Sequence, residues 1–462
     1  MAEIKRIYLC LAHMSEDGVE QKYIKEAFDT NWVVPLGPNV NGFEKDLEQF
    51  IIHNSQCIIT PELENKRVVA LSAGTAAVHL ALLACGVGPG DEVIVQSFTF
   101  CASSHPITYL GAKPVFIDSE PETWNMDPEL LERAILDRLE KTGKKPKAIV
   151  PVALYGMPYK VDRIMEIANH YGIPVIEDAA EGFGSRYKGQ VLGTFGEYGV
   201  LSFNGNKMIT TSGGGALICP DKVAKDKVMW LATQAREAYP YYQHEAIGYN
   251  YRMSNICAGI GRGQMTVVDD HIAHHRHIAD MYREAFKDVE GITFHDETLC
   301  SMGVGGNEPV ALMESNFWLN TILLSEDLKV KNEELAYAEA VQGAVGGAAG
   351  VVHGGGTVHT DCEPNRNVEA MRIALDKEGI ESRPLWKPMH KQPVYTRVES
   401  GELSVESLSD GIVRQTSATS VAYINGVSES LFKRGLCLPS GPMVSDEDVR
   451  RIIRVIKENI GG

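Results

Sequence analysis

One lysine, Lys207, lies between two glycine-containing turns that follow a short apolar segment at residues 199–201. The turns are residues 204–206 and 212–215, and Ser202 precedes the first of them. An amine held in a pocket of small residues can lose its proton and form a Schiff base. The alternative is a surface turn with a solvated lysine. Which interpretation holds depends on the other chemical groups that the fold brings to Lys207.

Two further segments place polar residues at the ends of predicted buried strands. Residues 68–71 predict a strand, and Thr75 lies between it and an apolar helix over 76–84, where helix-end amides can bind phosphate. Residues 173–177 predict a second strand that ends in Asp178, at the edge where open α/β sheets bind ligands. A carboxylate there can hold a protonated pyridine nitrogen. An ordinary helix cap is the alternative for both residues.

These residues, in this order, resemble the DegT/DnrJ/EryC1/StrS family of sugar aminotransferases, enzymes of fold type I that use pyridoxal 5'-phosphate. The resemblance covers almost the whole chain, from residues 31–38 to residues 436–441. The segments 204–207 and 384–390 are most similar to enzymes that aminate C4 of a nucleotide-linked 4-keto-6-deoxy sugar. These include the enzymes that make UDP-4-amino-4,6-dideoxy-N-acetylglucosamine on the bacillosamine route. The resemblance implies L-glutamate as amino donor and UDP-2-acetamido-2,6-dideoxy-hexos-4-ulose as acceptor.

The resemblance also implies a role for each candidate cofactor residue. Lys207 would hold the cofactor as a Schiff base and move protons, and Asp178 would keep the pyridine nitrogen protonated. Phe100 would stack on the ring, with plain core packing as the alternative. Glu181 lies where many relatives carry His or Gln facing the phenolic oxygen, and a carboxylate there is repulsive unless it is protonated or turned away. The implied cofactor set is Thr75, Ala76, Phe100, Asp178, Glu181, Ser202, Lys207 and Asn250.

A second subunit and a nucleotide sugar are the partners that the resemblance implies. Asn250 matches a family residue that reaches the phosphate in the partner subunit, which predicts a homodimer with shared active sites. Arg383 could clamp a donor carboxylate or pair with a nearby acid, and His390 could instead be a capped core histidine. The implied sugar-binding set is Trp32, Pro35, Asn204, Asn206, Trp386, Lys387 and His390.

Composition excludes several other classes of protein. The net charge of the 462-residue chain is −17, which disfavours nucleic-acid and anionic-membrane partners. The nine cysteines form no C-x-x-C pair, a pattern typical of reduced thiols in a cytoplasmic protein. No apolar run approaches the roughly 18 residues of a spanning helix, and residues 7–12 are too short for the core of a signal peptide. We therefore expect a cytoplasmic enzyme.

Alternating apolar strands and helices predict an α/β fold with a mostly parallel sheet and helices on both faces. We expect an N-terminal arm (1–60), a large cofactor-binding domain (61–265), and a linking helix at 265–286 followed by a smaller C-terminal α+β domain (266–462). A helix is predicted over 446–459. Two stretches depart from the family pattern and predict flexible loops, a Gly/Ala-rich insertion at about 326–365 and a serine-rich one at 398–422.

Three alternative functions remain open at this stage. A dehydratase of the same family, or an aminotransferase acting at C3 of the sugar, would share the fold. Dehydratase relatives replace the cofactor lysine, usually with His, so Lys207 argues against that reading. A non-catalytic protein could also keep the fold. No metal is expected, because His353, His359, Asp361 and Cys362 match no standard zinc spacing.

Overall fold

A large central sheet with helices on both faces is the core of the fold. The computed structural model describes residues 5–55, 59–297, 301–302, 310–331, 362–396 and 403–461. The helices are α1 (Val19–Asp29), α2 (Pro38–His53), α3 (Pro61–Asn65), α4 (Gly74–Ala84), α5 (His105–Tyr109), α6 (Pro128–Thr142), α7 (Val161–Tyr171), α8 (Lys222–Ala232), α9 (Asn255–Met265), α10 (Val268–Phe286), α11 (Arg366–Lys377), α12 (Pro393–Thr396), α13 (Val427–Arg434) and α14 (Asp446–Asn459).

The strands of the central sheet form two groups that meet edge to edge. Their orders are β1-β9-β8-β5 and β16-β17-β18-β3-β2-β4. The strands of the chain are β1 (Arg67–Leu71), β2 (Glu92–Gln96), β3 (Lys113–Ile117), β4 (Ile149–Val150), β5 (Ile176–Asp178), β6 (Arg186–Tyr187), β7 (Gln190–Val191), β8 (Tyr198–Ser202), β9 (Gly215–Cys219), β10 (Ile292–Phe294), β11 (Ser301–Met302), β12 (Val310–Ala311), β13 (Met313–Glu314), β14 (Asn320–Leu324), β15 (Arg383–Pro384), β16 (Ser404–Ser407), β17 (Val413–Thr416), β18 (Val421–Ile424) and β19 (Gly435–Leu438).

The two groups join along a seam between residues 149–153 and residues 174–178. Parallel bridges link Ile149 to Val175 and Val152 to Asp178. The Asp178 N–H donates to the Pro151 carbonyl at 2.9 Å, and the Asp178 carbonyl accepts from the Ala153 N–H at 3.0 Å. Strands β8, β5, β4, β2, β3 and β18 are all parallel to their neighbours across this seam. The mostly parallel sheet predicted from the sequence is confirmed.

Both faces of the sheet are buried, which explains why its strands are apolar throughout. In β1, Val68 and Ala70 pack into one core cluster, whereas Val69 and Leu71 pack into another. Successive side chains of a strand point to opposite faces, so each face has its own apolar layer. The first layer includes apolar residues of α2, α6 and α7, and the second includes those of α4, α5 and α8. Parallel sheets covered on both faces have this pattern.

The C-terminal part forms a smaller α+β unit with its own core. Its antiparallel sheet has the order β10-β14-β19-β15, and α10, α11 and α14 pack on that sheet. The helix predicted over 446–459 is α14, which begins with a capping box between Ser445 and Asp448. The linking helix predicted over 265–286 is α10, which begins at Val268 because the chain turns at Thr266 and Val267 after α9.

The serine-rich stretch at 398–422 differs from the predicted loop. Residues 404–424 form an antiparallel ribbon, β16-β17-β18, whose last strand pairs with β3 and extends the central sheet. We call this segment the ribbon. Strand β18 is wholly buried, which supplies the apolar contact that a free loop would lack. The other predicted insertion falls largely on residues 332–361, outside the described residues. Within the described ranges, no helix is long and apolar enough to span a membrane.

Candidate active site

A cavity of about 340 Å³ opens where β5 and β8 end and α4 begins. Parallel strands direct their carboxyl ends to the same edge, and helix α4 directs its N-terminus there. Nine residues predicted from the sequence line this cavity: Thr75, Phe100, Asp178, Glu181, Ser202, Asn204, Asn206, Lys207 and Trp386. The fold therefore brings together residues that lie up to about three hundred positions apart in the chain.

Lys207 extends into the cavity from the turn that follows β8. Its backbone N–H closes the turn by donating to the Asn204 carbonyl at 3.0 Å. Its side-chain amine lies 3.4 Å from Glu181 Oε1 and 3.9 Å from the centre of the Trp318 ring. The amine thus lies between a carboxylate and an aromatic face. The alternative interpretation, a solvated lysine on a surface turn, does not match the structure.

Asp178 lies at the end of β5, buried in the floor of the cavity. Its Oδ2 accepts from the Ser103 hydroxyl at 2.6 Å, and its Oδ1 accepts from the Ala180 N–H at 3.1 Å. Burial raises the pKa of Asp178, while these hydrogen bonds and the charge of Lys207 act in the opposite direction. A cation bound next to Asp178 would further favour its ionised form. The carboxylate is therefore placed to receive a protonated ring nitrogen.

Glu181 faces Lys207 and is not turned away from the cavity. Its second oxygen accepts from the Tyr155 N–H at 2.8 Å, and Tyr155 adopts a left-handed backbone conformation, with φ at 56°. Burial raises the pKa of Glu181, whereas Lys207 and the Tyr155 N–H lower it. Gly156 follows at φ 95°, where a Cβ would lie 1.9 Å from Asn316 Oδ1. This tight turn fixes the carboxylate beside the lysine amine.

The N-terminus of α4 opens on the cavity beside two glycines that leave room for an anion. Ala73, the residue before the helix, makes no side-chain cap, so the amides of the first turn face the cavity without an intrahelical acceptor. A Cβ at Gly74 would lie 3.0 Å from the Ser202 Cβ, and one at Gly215 would lie 2.4 Å from the Gly74 nitrogen. Small residues therefore let Ser202 and Thr75 approach the same anion.

The remaining predicted residues lie apart from this cavity. Ala76 is buried in the first turn of α4, where its backbone N–H rather than its side chain is available. Trp32, Pro35 and Asn250 are exposed, on segments where a partner could cover them. Lys387 lines a neighbouring cavity of about 460 Å³, together with Phe100 and Trp386.

The positions of His390 and Arg383 distinguish between the two interpretations that the sequence left open for each. His390 is wholly buried, with Nδ1 2.6 Å from Ser97 Oγ and Nε2 3.4 Å from Glu429 Oε1. This placement favours the core-histidine alternative. Arg383 is exposed and donates to Glu381 at 3.0 Å, so it is placed for a pairing with a nearby acid rather than for a clamp inside the cavity.

Sequence reasoning did not identify Trp318 and Ser103, which also line the cavity. The Trp318 indole N–H donates to the Asn206 carbonyl at 2.6 Å, and its ring covers the lysine amine. Ser103 holds the Asp178 carboxylate through a 2.6 Å hydrogen bond. Both residues come from elements distant from Lys207 in sequence, and neither lies in a motif that could have pointed to it.

Comparison with known proteins agrees with this geometry. The sequence profile of the DegT/DnrJ/EryC1/StrS aminotransferase family matches residues 14–338. The chain belongs to the DegT/DnrJ/EryC1/StrS aminotransferase family. EpsN of Bacillus subtilis (strain 168), which carries the name of a pyridoxal phosphate-dependent aminotransferase, is 40% identical over 458 residues, covering 98% of this chain and 95% of EpsN.

Two further relatives extend the comparison. A GDP-perosamine synthase of Escherichia coli O157:H7 is 32% identical over 451 residues, covering 98% of each chain. A crystal structure of a DegT DnrJ EryC1 StrS aminotransferase from Brucella abortus superposes with a TM-score of 0.74 at 27% identity, covering 96% of each chain. The protein is accordingly an aminotransferase of this family, and its cofactor is pyridoxal 5'-phosphate.

The residues of the cavity fit that cofactor. The uncapped N-terminus of α4, with Thr75 and Ser202, provides donors for a phosphate. The buried Asp178 provides an acceptor for a ring nitrogen. Lys207 provides the amine that would hold the aldehyde carbon. Because these groups line one cavity, a single molecule carrying a phosphate, a pyridine and an aldehyde can reach all of them.

Proposed function

We propose that this protein transfers the amino group of L-glutamate to C4 of a nucleotide-linked 4-keto-6-deoxy sugar, with UDP-2-acetamido-2,6-dideoxy-hexos-4-ulose as the acceptor. The observation that carries the proposal is the single cavity that joins Lys207, Asp178 and the uncapped end of α4. The name of the GDP-perosamine synthase relative supports a nucleotide-linked sugar as substrate. Such amino sugars are used in surface glycans and glycoproteins, and the enzyme would act in the cytoplasm.

Lys207 moves the protons of the reaction. Pyridoxal phosphate supplies, when bound, a carbon that carries the amino group and a ring that accepts electrons. Lys207 Nζ takes the proton from Cα of glutamate, and in the second half-reaction it delivers a proton to C4 of the sugar. Glutamate leaves as 2-oxoglutarate, and the keto group of the sugar becomes an amino group. One flexible amine serves both carbons because both substrates occupy the same cavity in turn.

Asp178 and Glu181 set the electrostatics around that amine. Asp178 holds a proton on the ring nitrogen, and the hydrogen bond from Ser103 keeps the carboxylate oriented toward the cavity floor. Glu181 lies against Lys207 Nζ at 3.4 Å. Since burial raises its pKa, Glu181 can carry a proton and donate it as a hydrogen bond to a phenolic oxygen. The repulsion expected from a carboxylate at this position is then avoided.

The nucleotide sugar extends from the main cavity into its neighbour. The two cavities share Thr99, Phe100 and Trp386, so a sugar at Lys207 can continue past these aromatic rings. Lys387 lines the second cavity and supplies a positive charge where a diphosphate would pass. Asn204 and Asn206 present amide groups on the Lys207 side of the main cavity. The protein as a whole is acidic, so individual hydrogen-bond donors and positive charges along this path would have to bind the anionic substrate.

A second copy of the chain completes the site. Trp32 is 40% exposed and Ile247 is 85% exposed, on the two segments that carry Pro35 and Asn250. Exposed apolar residues of this size are typical of surfaces covered by a partner. In a homodimer with C2 symmetry, the Asn250 segment of one subunit would reach the phosphate region of the other. The active site is then shared between the subunits.

A panel of nucleotide 4-keto-6-deoxy sugars tests the proposal. UDP-, GDP- and dTDP-linked substrates are each supplied with L-glutamate, and the products are identified by mass spectrometry and by the position of the new amine. A 4-amino product from the UDP sugar supports the proposal. Loss of a hydroxyl without amination would identify a dehydratase of the family, and amination of a 3-keto sugar but of none of the 4-keto sugars would identify a 3-aminotransferase.

A further inference from the structure

The ribbon contacts the segment 386–396 through buried polar side chains. Gln415 on β17 is buried, and its side-chain N–H donates to the His390 carbonyl at 3.1 Å. Ser420, which is also buried, donates from Oγ to the Tyr395 carbonyl at 3.3 Å. Both acceptors are backbone oxygens. The ribbon therefore constrains the path of the segment rather than the rotamer of one side chain.

Apolar contacts and the helix that follows the ribbon support the same segment. Met389 and Tyr395 belong to the same core cluster as Ala422 and Ile424 of β18. Helix α13 begins directly after the ribbon, and its Glu429 accepts from Lys391 at 2.9 Å. On the opposite side, the segment is fixed to the end of β2, where the Met389 N–H donates to the Ser97 carbonyl at 2.8 Å.

The supported segment borders both cavities. Trp386 lines the main cavity and its neighbour, and Lys387 and Met389 line the neighbour. The catalytic groups lie in the other group of strands, since Lys207 follows β8 and Asp178 ends β5.

We propose that the ribbon is a positioning element for the nucleotide sugar, which holds the segment 386–396 in its binding conformation through Gln415 and Ser420. This inference rests on the proposed function. A segment that is ordered before the substrate arrives loses less conformational freedom on binding. Releasing it should weaken the binding of the sugar while leaving the proton transfers at Lys207 unchanged.

Two substitutions at Gln415 test the inference in the cofactor-loaded enzyme. Gln415→Ala removes the side chain, and Gln415→Glu keeps its shape but removes the N–H donor. Each should raise KM for the nucleotide sugar about threefold to tenfold, as the loss of one buried hydrogen bond predicts. The expected kcat and KM for glutamate stay within about twofold of wild type. Val405→Ser, on the 61% exposed side chain of the outer strand β16, is the matched control and should change none of these constants.

Amide hydrogen exchange gives a measurement independent of turnover. In the absence of sugar, residues 386–396 should exchange faster in both Gln415 variants than in wild type or Val405→Ser. Unchanged exchange with an unchanged KM for the sugar would overturn the inference. So would a fall in kcat, or an equal rise of both KM values, since either would mean a general loss of structure. If wild type aminates no nucleotide sugar, the proposed function fails, and exchange alone then decides whether the ribbon holds the segment.

Discussion

Replacing Asp178 by asparagine removes a buried charge while preserving the size of the side chain. In the folded protein the carboxylate is 5% exposed and accepts from Ser103 and from the Ala180 N–H. In Asp178→Asn only one of the two side-chain positions can still accept a hydrogen bond, because the amide nitrogen is a donor, and no negative charge holds a proton on the ring nitrogen. The loss of one charged contact in a dry site raises the barrier by about 3–5 kcal/mol. That corresponds to a fall in kcat of about 10²–10⁴-fold.

The assay measures kcat with saturating glutamate and the best sugar of the panel. Intact mass confirms that the asparagine has not deamidated, thermal unfolding confirms the fold, and absorbance confirms cofactor occupancy. Ser103→Ala is the graded control, because it removes one hydrogen bond and leaves the charge; it should lower kcat by at most about tenfold. A loaded, folded Asp178→Asn protein with kcat within fivefold of wild type would refute the reasoning and leave Asp178 as a structural cap.

Three more predictions concern the lysine, the subunit interface and a buried histidine. Lys207→Ala should abolish turnover in a folded protein, because no other lysine among the residues that the structure describes lines the cavity; a tenth of the wild-type kcat would contradict the assignment. Mixing inactive Lys207→Ala and Asn250→Ala subunits should restore activity in verified heterodimers, since one site then carries neither defect; no recovery would place Asn250 outside the partner's site. Burial lowers the pKa of His295 to about 3, so below pH 6.5 the unfolded chain binds a proton that the folded chain does not, and stability falls as pH falls towards 3. Urea unfolding at pH 7 and pH 5 should show about 2 kcal/mol more loss in wild type than in His295→Gln; equal losses would mean that His295 is protonated in the folded protein.

The cluster of Lys207, Asp178 and Thr75 could be predicted because strand–turn–helix alternation puts all three at one edge of the sheet. Asp178 is the last residue of an apolar strand, and Thr75 and Lys207 lie shortly after one, so local pattern and parallel topology suffice. Trp318 could not be predicted in this way. It reaches the lysine from a position 112 residues after Asn206, its hydrogen-bond acceptor, and no periodicity encodes a contact at that separation. The roles of Lys207, Asp178 and Thr75 came from the family resemblance, whereas the contact with Trp318 is visible only in the structure.

The strands of the ribbon could not be predicted from the sequence. All four residues of β16 are exposed, so the strand lacks the apolar alternation that would identify it. Strand β18 is apolar but only four residues long, and its partner β3 lies about 300 positions earlier. A serine-rich stretch with mixed charge therefore predicted a loop. His390 is a related case, because its motif suggested sugar binding while its hydrogen bonds to Ser97 and Glu429 place it in the core.

The edge of the sheet at which β5, β8 and α4 meet links the supply of vitamin B6 to the amount of this protein that a cell retains. Asp178 lies at that edge, and it also joins the two groups of strands through its bridge to Val152. A molecule bound at Asp178, Lys207 and the end of α4 would hold together the ends of β5, β8 and β1, and binding at 100 times Kd stabilises a folded state by about 2.7 kcal/mol. Cells starved of vitamin B6 should therefore degrade this enzyme faster than cells that are well supplied.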